Sequence, residues 1–212
     1  AEDEISAIGM VIGASYGGVR AMTATSGPGL SLMTEMLGLS SMAEIPVVIV
    51  DCQRGGPSTG LPSRVEQSDL WHAMYGGHGD FPRVVLAATD VTDCYPTMFR
   101  AFYCAETFQM PVIVLSDAAI AQCSEVIDPV DTSMLPRGHR MVASVDDSEV
   151  PPGSRPTTFK RFDMGNSHGC QWAGITPMAI PGTTGCMHSI AGIEHTDKGT
   201  PSADGDLHEA MN

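Results

Sequence analysis

The chain has 212 residues, of which 42% are hydrophobic and 17% charged, and it carries a formal net charge of -14. That composition is globular rather than disordered, and the length suits one domain of ordinary size with an appendage. With 11 Lys and Arg against 25 Asp and Glu there is no basic footprint for nucleic acid; no run of about 18 apolar residues and no basic-then-apolar leader occurs, so a soluble cytoplasmic protein is expected.

The opening residues predict a helix rich in small side chains, with Ala7, Gly9, Gly13, Ala14, Gly17 and Gly18 suited to close packing. Gly13-Ala14-Ser15-Tyr16-Gly17 also matches the G-x-S-x-G nucleophile elbow, for which Asp51 and His78 would be the triad partners of a serine hydrolase. A hydrolase sheet puts several strands ahead of its elbow, whereas only 12 residues precede this one, so the packed helix is the preferred reading.

A short strand, Ala21 to Ala24, runs into the turn Thr25-Ser26-Gly27-Pro28-Gly29, and a helix follows from Pro28 to about Ser40 through Leu30, Met33 and Leu37. Pro46 to Asp51 reads as a β-branched strand that leaves through Gln53-Arg54-Gly55-Gly56-Pro57-Ser58-Thr59-Gly60. Arg83 to Ala87 is a third strand. A helix with a Thr/Asp start and Pro96 in its first turn carries Tyr95, Phe99 and Phe102 as its expected buried face. Pro111 to Asp117 repeats the pattern of proline, apolar run and polar exit.

Helices alternating with such strands predict βαβ units and a parallel sheet in an α/β fold, with ligands at the carboxyl ends of the strands. Beyond Glu125 the chain becomes Pro- and Gly-rich, as in Val150-Pro151-Pro152-Gly153-Ser154 and Ile180-Pro181-Gly182-Thr183-Thr184-Gly185. Residues 1–125 are therefore expected to form the α/β domain, and residues 126–212 a loop-rich connecting arm toward a partner or a further domain. Cys52, Cys94, Cys104, Cys123, Cys170 and Cys186 include no C-x-x-C pair and read as reduced core thiols rather than zinc or cluster ligands.

Three stretches carry a resemblance: Ala1-Glu2-Asp3-Glu4-Ile5, then Met22 through Thr25-Ser26-Gly27-Pro28-Gly29 to Met33, then Val48 through Asp51-Cys52-Gln53-Arg54-Gly55-Gly56 to Pro62. Glu66-Gln67-Ser68-Asp69-Leu70, Tyr75 to Pro82, Pro111 to Asp117, Ile175-Thr176-Pro177 and Ala179 to Thr183 continue it. The whole resembles the alpha subunits of 2-oxoacid:ferredoxin oxidoreductases, closest to the 2-oxoglutarate type, with pyruvate and branched-chain 2-oxoacid enzymes as alternatives.

The resemblance implies a thiamine-diphosphate-binding fold, a three-layer sandwich around a mainly parallel, doubly wound sheet, whose site lies between two subunits. This chain would hold the pyrimidine half of thiamine diphosphate. A partner beta subunit would hold the diphosphate, its Mg2+ and a [4Fe-4S] cluster. The reaction implied is oxidative decarboxylation of a 2-oxoacid to its acyl-CoA with electrons passed to ferredoxin, and the chain alone should be inert. Because ferredoxins are acidic, a chain of this charge is not their expected docking surface. The family's strand and turn ahead of the glutamate has no counterpart here, so the chain is expected to be a fragment with an open sheet edge.

Among individual residues, Glu2 matches the glutamate that hydrogen-bonds the aminopyrimidine, with Glu4 as the alternative register; residue pattern alone would make both, with Asp3, a dipole-matched helix start. Arg54 would grip the substrate carboxylate, unless it is simply a loop arginine paired with Asp51 or Asp69. Thr25, Ser26 and Gly27 would contact the cofactor, where N-capping is the plainer role of the hydroxyls. His78 would bind the substrate or move a proton, against a structural place in its turn. Met33 would support the bent cofactor, against a place in the core. A non-catalytic α/β binding module would keep the strands without needing Glu2 or Arg54.

Overall fold

The computed structural model describes residues 1–143, 159–163 and 174–211, and for 210 and 211 only the backbone. Helix α1 (Glu4–Tyr16) leads into β1 (Met22–Thr25), α2 (Gly27–Met42), β2 (Val47–Gln53), α3 (Leu70–Tyr75), β3 (Val84–Ala87), α4 (Val91–Phe108), β4 (Pro111–Asp117) and α5 (Ala118–Gln122). A last helix, α6 (Gly205–Met211), lies far down the chain. The four strands are all parallel and stand in the order β1-β2-β4-β3.

The strand pleat sorts the core into two clusters. Val47 and Ile49 of β2, with Ile113 and Leu115 of β4, pack against Ile8, Val11 and Ile12 of α1 and Leu30, Met33 and Leu37 of α2. Their neighbours Val48, Val112 and Val114 face the other way, onto Ala101 and Ala105 of α4. Strands covered on both faces need apolar residues at consecutive positions, which is why β2 and β4 read as unbroken runs. Val48, Ile49, Val112 and Ile113 are fully shielded, each stabilising the fold by about 1.5–3 kcal/mol. The result is the expected three-layer α/β sandwich.

Helix α4 differs from expectation in two respects. Its cap is Asp90, whose carboxylate accepts the Asp93 N–H at 2.9 Å, so the helix starts early and Pro96 sits inside it rather than in its first turn. Its fully buried side is Thr97, Ala101 and Ala105, and of the expected aromatics only Phe102 packs, half-buried, against the valines of the sheet. Tyr95 is 47% exposed and leans on Phe99 with ring centroids 5.3 Å apart. Short side chains let the helix axis approach the valines of the sheet, and Tyr95 and Phe99 stand to the flank. The cysteines also divide: Cys186 is buried, Cys52, Cys94 and Cys104 are half-buried, and Cys123 is exposed rather than in the core. Cys170 and the Val150 to Ser154 stretch lie outside the described residues.

The described parts of 126–211 carry little regular structure before α6, apart from isolated bridges such as Val142 to Met178. Two buried arginines tie them to the amino-terminal end of the sheet. Arg140 meets the carboxylate of Glu106 on α4 through Nε and Nη2, both at 2.9 Å, and its Nη2 also donates to Ser15 Oγ at 3.0 Å. Arg161, 1% exposed, donates to Glu44 Oε2 at 2.7 Å, Thr176 Oγ1 at 2.6 Å and Gln109 Oε1 at 2.7 Å. Glu44 and Gln109 stand just ahead of β2 and β4, so each clamp seals a strand entrance. Among the described residues no helix is long and apolar enough to cross a membrane.

Breaking a buried pair strands the remaining charge in a low dielectric. Arg140→Ala should therefore cost about 3–5 kcal/mol in urea unfolding, while Lys160→Ala, which removes a surface pair with Asp197, should leave the midpoint unmoved within error.

Candidate active site

At the carboxyl ends of the strands the polar groups are placed differently. Helix α1 is capped by Asp3, which accepts the Ser6 N–H at 2.9 Å and the Ser6 hydroxyl at 3.0 Å. This start places Glu4 four residues ahead of Ile8, at the head of the stripe Ile8, Val11, Ile12 and Ser15 that α1 buries. Because that stripe packs on α2, Glu4 is carried over the first turn of α2. A Cβ built on Gly29 would lie 2.6 Å from Glu4 Cγ, 2.9 Å from Glu4 Oε1 and 1.9 Å from Thr25 Oγ1. Only glycine admits both side chains there.

Glu4, Thr25 and Gly29 thus form one group at the end of β1, whereas Glu2 lies exposed ahead of the helix. Ser26 is the N-cap of α2 yet makes no side-chain cap bond, so capping does not occupy its hydroxyl. Met33, one turn on, is fully buried in the core with Leu30 and Leu37.

Strand β2 ends in a second group. Gln53 donates Nε2 to the Ser116 carbonyl at 3.2 Å and accepts the Asp69 N–H on Oε1 at 3.0 Å, so the segment from Arg54 returns to its starting point. Gln67 donates to Asp117 Oδ2 at 2.6 Å, and Asp117 Oδ1 accepts the Ala119 and Ile120 N–H groups at the start of α5. Those donors hold the Asp117 carboxyl below its usual value, the Ile120 N–H most of all.

Asp51 has no such support. It continues the inward row Val47, Ile49, is fully buried, and neither carboxyl oxygen has a hydrogen-bond partner. Burial pushes its pKa up to about 7, and the neighbouring Asp69 charge adds to the shift. Asp69 Oδ2 is also buried without a partner, and it lies 2.7 Å from where a Cβ of Gly27 would be. Arg54 follows with its Nε buried and unpartnered. Among the described residues no ion pair joins Arg54 to Asp51 or Asp69, so the guanidinium is not held by either aspartate.

The structure separates the residues of the hydrolase alternative. Ser15 is fully buried in the last turn of α1 and donates to the Pro46 carbonyl at 2.5 Å, at the entrance of β2. Asp51 lies five residues further along, roughly 16 Å away, and His78 is exposed on the loop between α3 and β3. Ser15 is a packing residue bonded to Arg140, not a nucleophile. Beside the carboxyl ends, α3 presents Trp71 and Tyr75, 70% and 66% exposed and stacked with centroids 5.6 Å apart, together with Leu70 and Met74.

Gln53, Gln67 and Asp117 join the site without belonging to any site motif in the sequence. Their signal was available in part, since polar residues ending apolar strands mark the carboxyl edge of a parallel sheet.

Residues 1–156 match the family described as pyruvate flavodoxin/ferredoxin oxidoreductase, thiamine-diphosphate-binding. The chain is 43% identical over 195 residues to the 2-oxoglutarate oxidoreductase subunit KorA of Mycobacterium tuberculosis, covering 92% of this chain and 27% of that protein. It is 52% identical over 126 residues to the 2-oxoglutarate synthase subunit KorA of Methanothermobacter marburgensis, covering 59% and 34%. Among solved structures it superposes on a 2-oxoglutarate:ferredoxin oxidoreductase from Magnetococcus marinus, determined with 2-oxoglutarate, coenzyme A and succinyl-CoA bound, at a TM-score of 0.86 and 44% identity. That match covers all of this chain and 34% of the other. The chain spans about a quarter to a half of the length of the curated relatives it matches.

The Asp51 carboxyl has a pH signature with a definite sign. Its folded pKa, about 7, lies above the 3.8 of an ordinary aspartate, so the folded protein keeps a proton that the unfolded chain releases. Stability from this group falls as pH rises from about 4 to about 7 and is level above that. Asp51→Asn should gain stability over the wild type at about pH 8 and gain little at about pH 4, measured by urea unfolding at both.

Proposed function

Since the chain belongs to the pyruvate flavodoxin/ferredoxin oxidoreductase thiamine-diphosphate-binding family, we propose that it is the pyrimidine-binding part of a 2-oxoglutarate:ferredoxin oxidoreductase that forms succinyl-CoA. The names of its relatives support that substrate. The observation carrying the reading is the Glu4 carboxylate over Gly29 and Thr25, at the carboxyl end of the sheet.

The residues fit the cofactor's pyrimidine half. Glu4 offers a carboxylate acceptor, Thr25 and Ser26 offer hydroxyls, and Gly27 and Gly29 let the side chains of Asp69, Glu4 and Thr25 close in over the start of α2. Thiamine diphosphate, when bound, supplies the nucleophilic carbon and electron sink that decarboxylation of a 2-oxoacid requires. Glu4 is assigned to hold and return a proton at its carboxyl oxygen, the role first matched to Glu2. Arg54, whose Nε has no protein partner, is assigned to grip the substrate's carboxylate through parallel hydrogen bonds. His78, on the exposed loop, is assigned to the distal carboxylate. Met33 supports the site from the core beneath it.

The partner in this reading is a beta subunit holding the diphosphate, Mg2+ and a [4Fe-4S] cluster, in a cytoplasmic heteromer. The exposed Trp71, Tyr75, Leu70 and Met74 face suits coverage by that subunit. Ferredoxin docks on the beta subunit, away from the -14 charge of this chain. Residues 1–125 form the cofactor-binding domain. Residues 126–212 form the connecting arm, of which Arg140 and Arg161 brace the domain from the amino-terminal end of the sheet.

The test is anaerobic viologen reduction with CoA by the full-length alpha subunit and its beta neighbour, supplied with 2-oxoglutarate, pyruvate or a branched-chain 2-oxoacid. Glu4→Gln should lower kcat by about 100- to 10,000-fold with 2-oxoglutarate, and Glu2→Gln should remain near wild type. The opposite ranking would return the role to Glu2. Gly29→Ala, which pushes Glu4 aside without changing charge, should also lower kcat. Preference for pyruvate would retain the family and change the substrate, and activity independent of thiamine diphosphate would leave a binding module.

A further inference from the structure

Asp51 ends the buried run of β2, and Asp69, half-buried and tied to that end through Gln53, is the acid that neighbours it; among the described residues neither carboxyl has an ion-pair partner. Asp51 is fully buried and both its oxygens lack donors, as does Asp69 Oδ2. Among the ionisable groups on the surrounding elements are Glu4 on α1, Glu35 on α2, Arg54 beyond β2, Asp69 and His72 at α3, and Asp117 on β4. Of these, the one whose charge acts on Asp51 is Asp69. Asp117 is already held by α5 and Gln67, and β1 contributes no charge. Cys52 points to the opposite face of the sheet by the strand alternation.

Two facing carboxyl groups without a donor are complementary only when one of them carries a proton, which then supplies the missing hydrogen bond. Their position gives that proton leverage. Asp69 is fastened to the end of β2 through the Gln53 side chain and rests on Gly27 at the start of α2. Arg54 is the first residue of the segment that Asp69 closes.

We propose that Asp51 and Asp69 hold a single proton between them, and that this shared proton latches the 54–69 segment onto the end of β2 and so positions Arg54 for the substrate. The substrate part rests on the function proposed above. Both aspartates are positioning residues, acting through Arg54. With the proton lost, two negative charges face each other in a buried site, and Asp69 is driven from its seat on Gly27.

The test uses the assembled wild-type oxidoreductase and Asp51→Asn, whose amide donates to Asp69 at every pH. Infrared difference spectra of the wild type between about pH 6 and about pH 8 should lose the carbonyl stretch of one protonated carboxyl, and Asp51→Asn should show no such loss. In parallel, kcat/KM for 2-oxoglutarate should fall in the wild type by about tenfold per pH unit above neutrality, through KM rather than kcat, and Asp51→Asn should lack that limb. Asp69→Asn should likewise lack it, and serves if Asp51→Asn fails to assemble. A wild type with no carbonyl loss, or an Asp51→Asn profile keeping the same alkaline limb, overturns the proposal. If no 2-oxoacid is turned over, the functional reading fails and the infrared arm alone decides whether the proton is shared.

Discussion

Seven residues of β2 pair in parallel with seven of β4, from Val47 opposite Pro111 to Gln53 opposite Asp117, and the other elements take their places from that pair. Because it is buried on both faces, it needs a helical layer on each side and sets which residues those layers meet. Because its strands run the same way, all entrances fall at one end and all exits at the other. The chemistry and the bracing are thereby separated by the length of a strand.

The two ends treat buried polar groups in opposite ways. At the entrances, Arg140 and Arg161 are saturated with carboxylate, hydroxyl, amide and carbonyl partners. A buried guanidinium is tolerable only with such a shell, and with it the irregular segments beyond Glu125 are fixed to the sheet without strands of their own. At the exits, Asp51, Asp69 and Arg54 keep polar atoms without partners. Unsatisfied groups of this kind cost stability; among the described residues four of the seven such atoms lie here, on Asp51, Asp69 and Arg54, and the others are on Arg83, Thr97 and His188.

The packing of α1 on α2 links the two ends. One buried stripe of α1 begins at Glu4 and finishes at Ser15. Ser15 is tied to the Pro46 carbonyl and to Arg140 at the entrances, while Glu4 is set over Gly29 at the exits. A shift of this helix along its axis would disturb both ends together.

Much of the architecture was legible in the residues themselves. The strand Pro111 to Asp117 and the helix through Leu30, Met33 and Leu37 follow from β-branched runs, a glycine-proline turn and helical spacing, all local properties of the chain. The parallel sheet follows from their alternation, and the family from its motifs. Tertiary structure decided the rest. Aromatic spacing in α4 marked Tyr95, Phe99 and Phe102 as core, yet the close approach of the helix to the valines of β2 and β4 buried Thr97, Ala101 and Ala105 and left only Phe102 of the three packed against them. Glu2, Asp3 and Glu4 are alike as letters, and only the docking of α1 on α2 singles out the carboxylate that reaches Gly29. The bond that brings Asp69 back to Gln53, and the freedom of Arg54 from both aspartates, belong to a loop that returns over 16 residues; contacts between residues so far apart depend on packing, which no local pattern records.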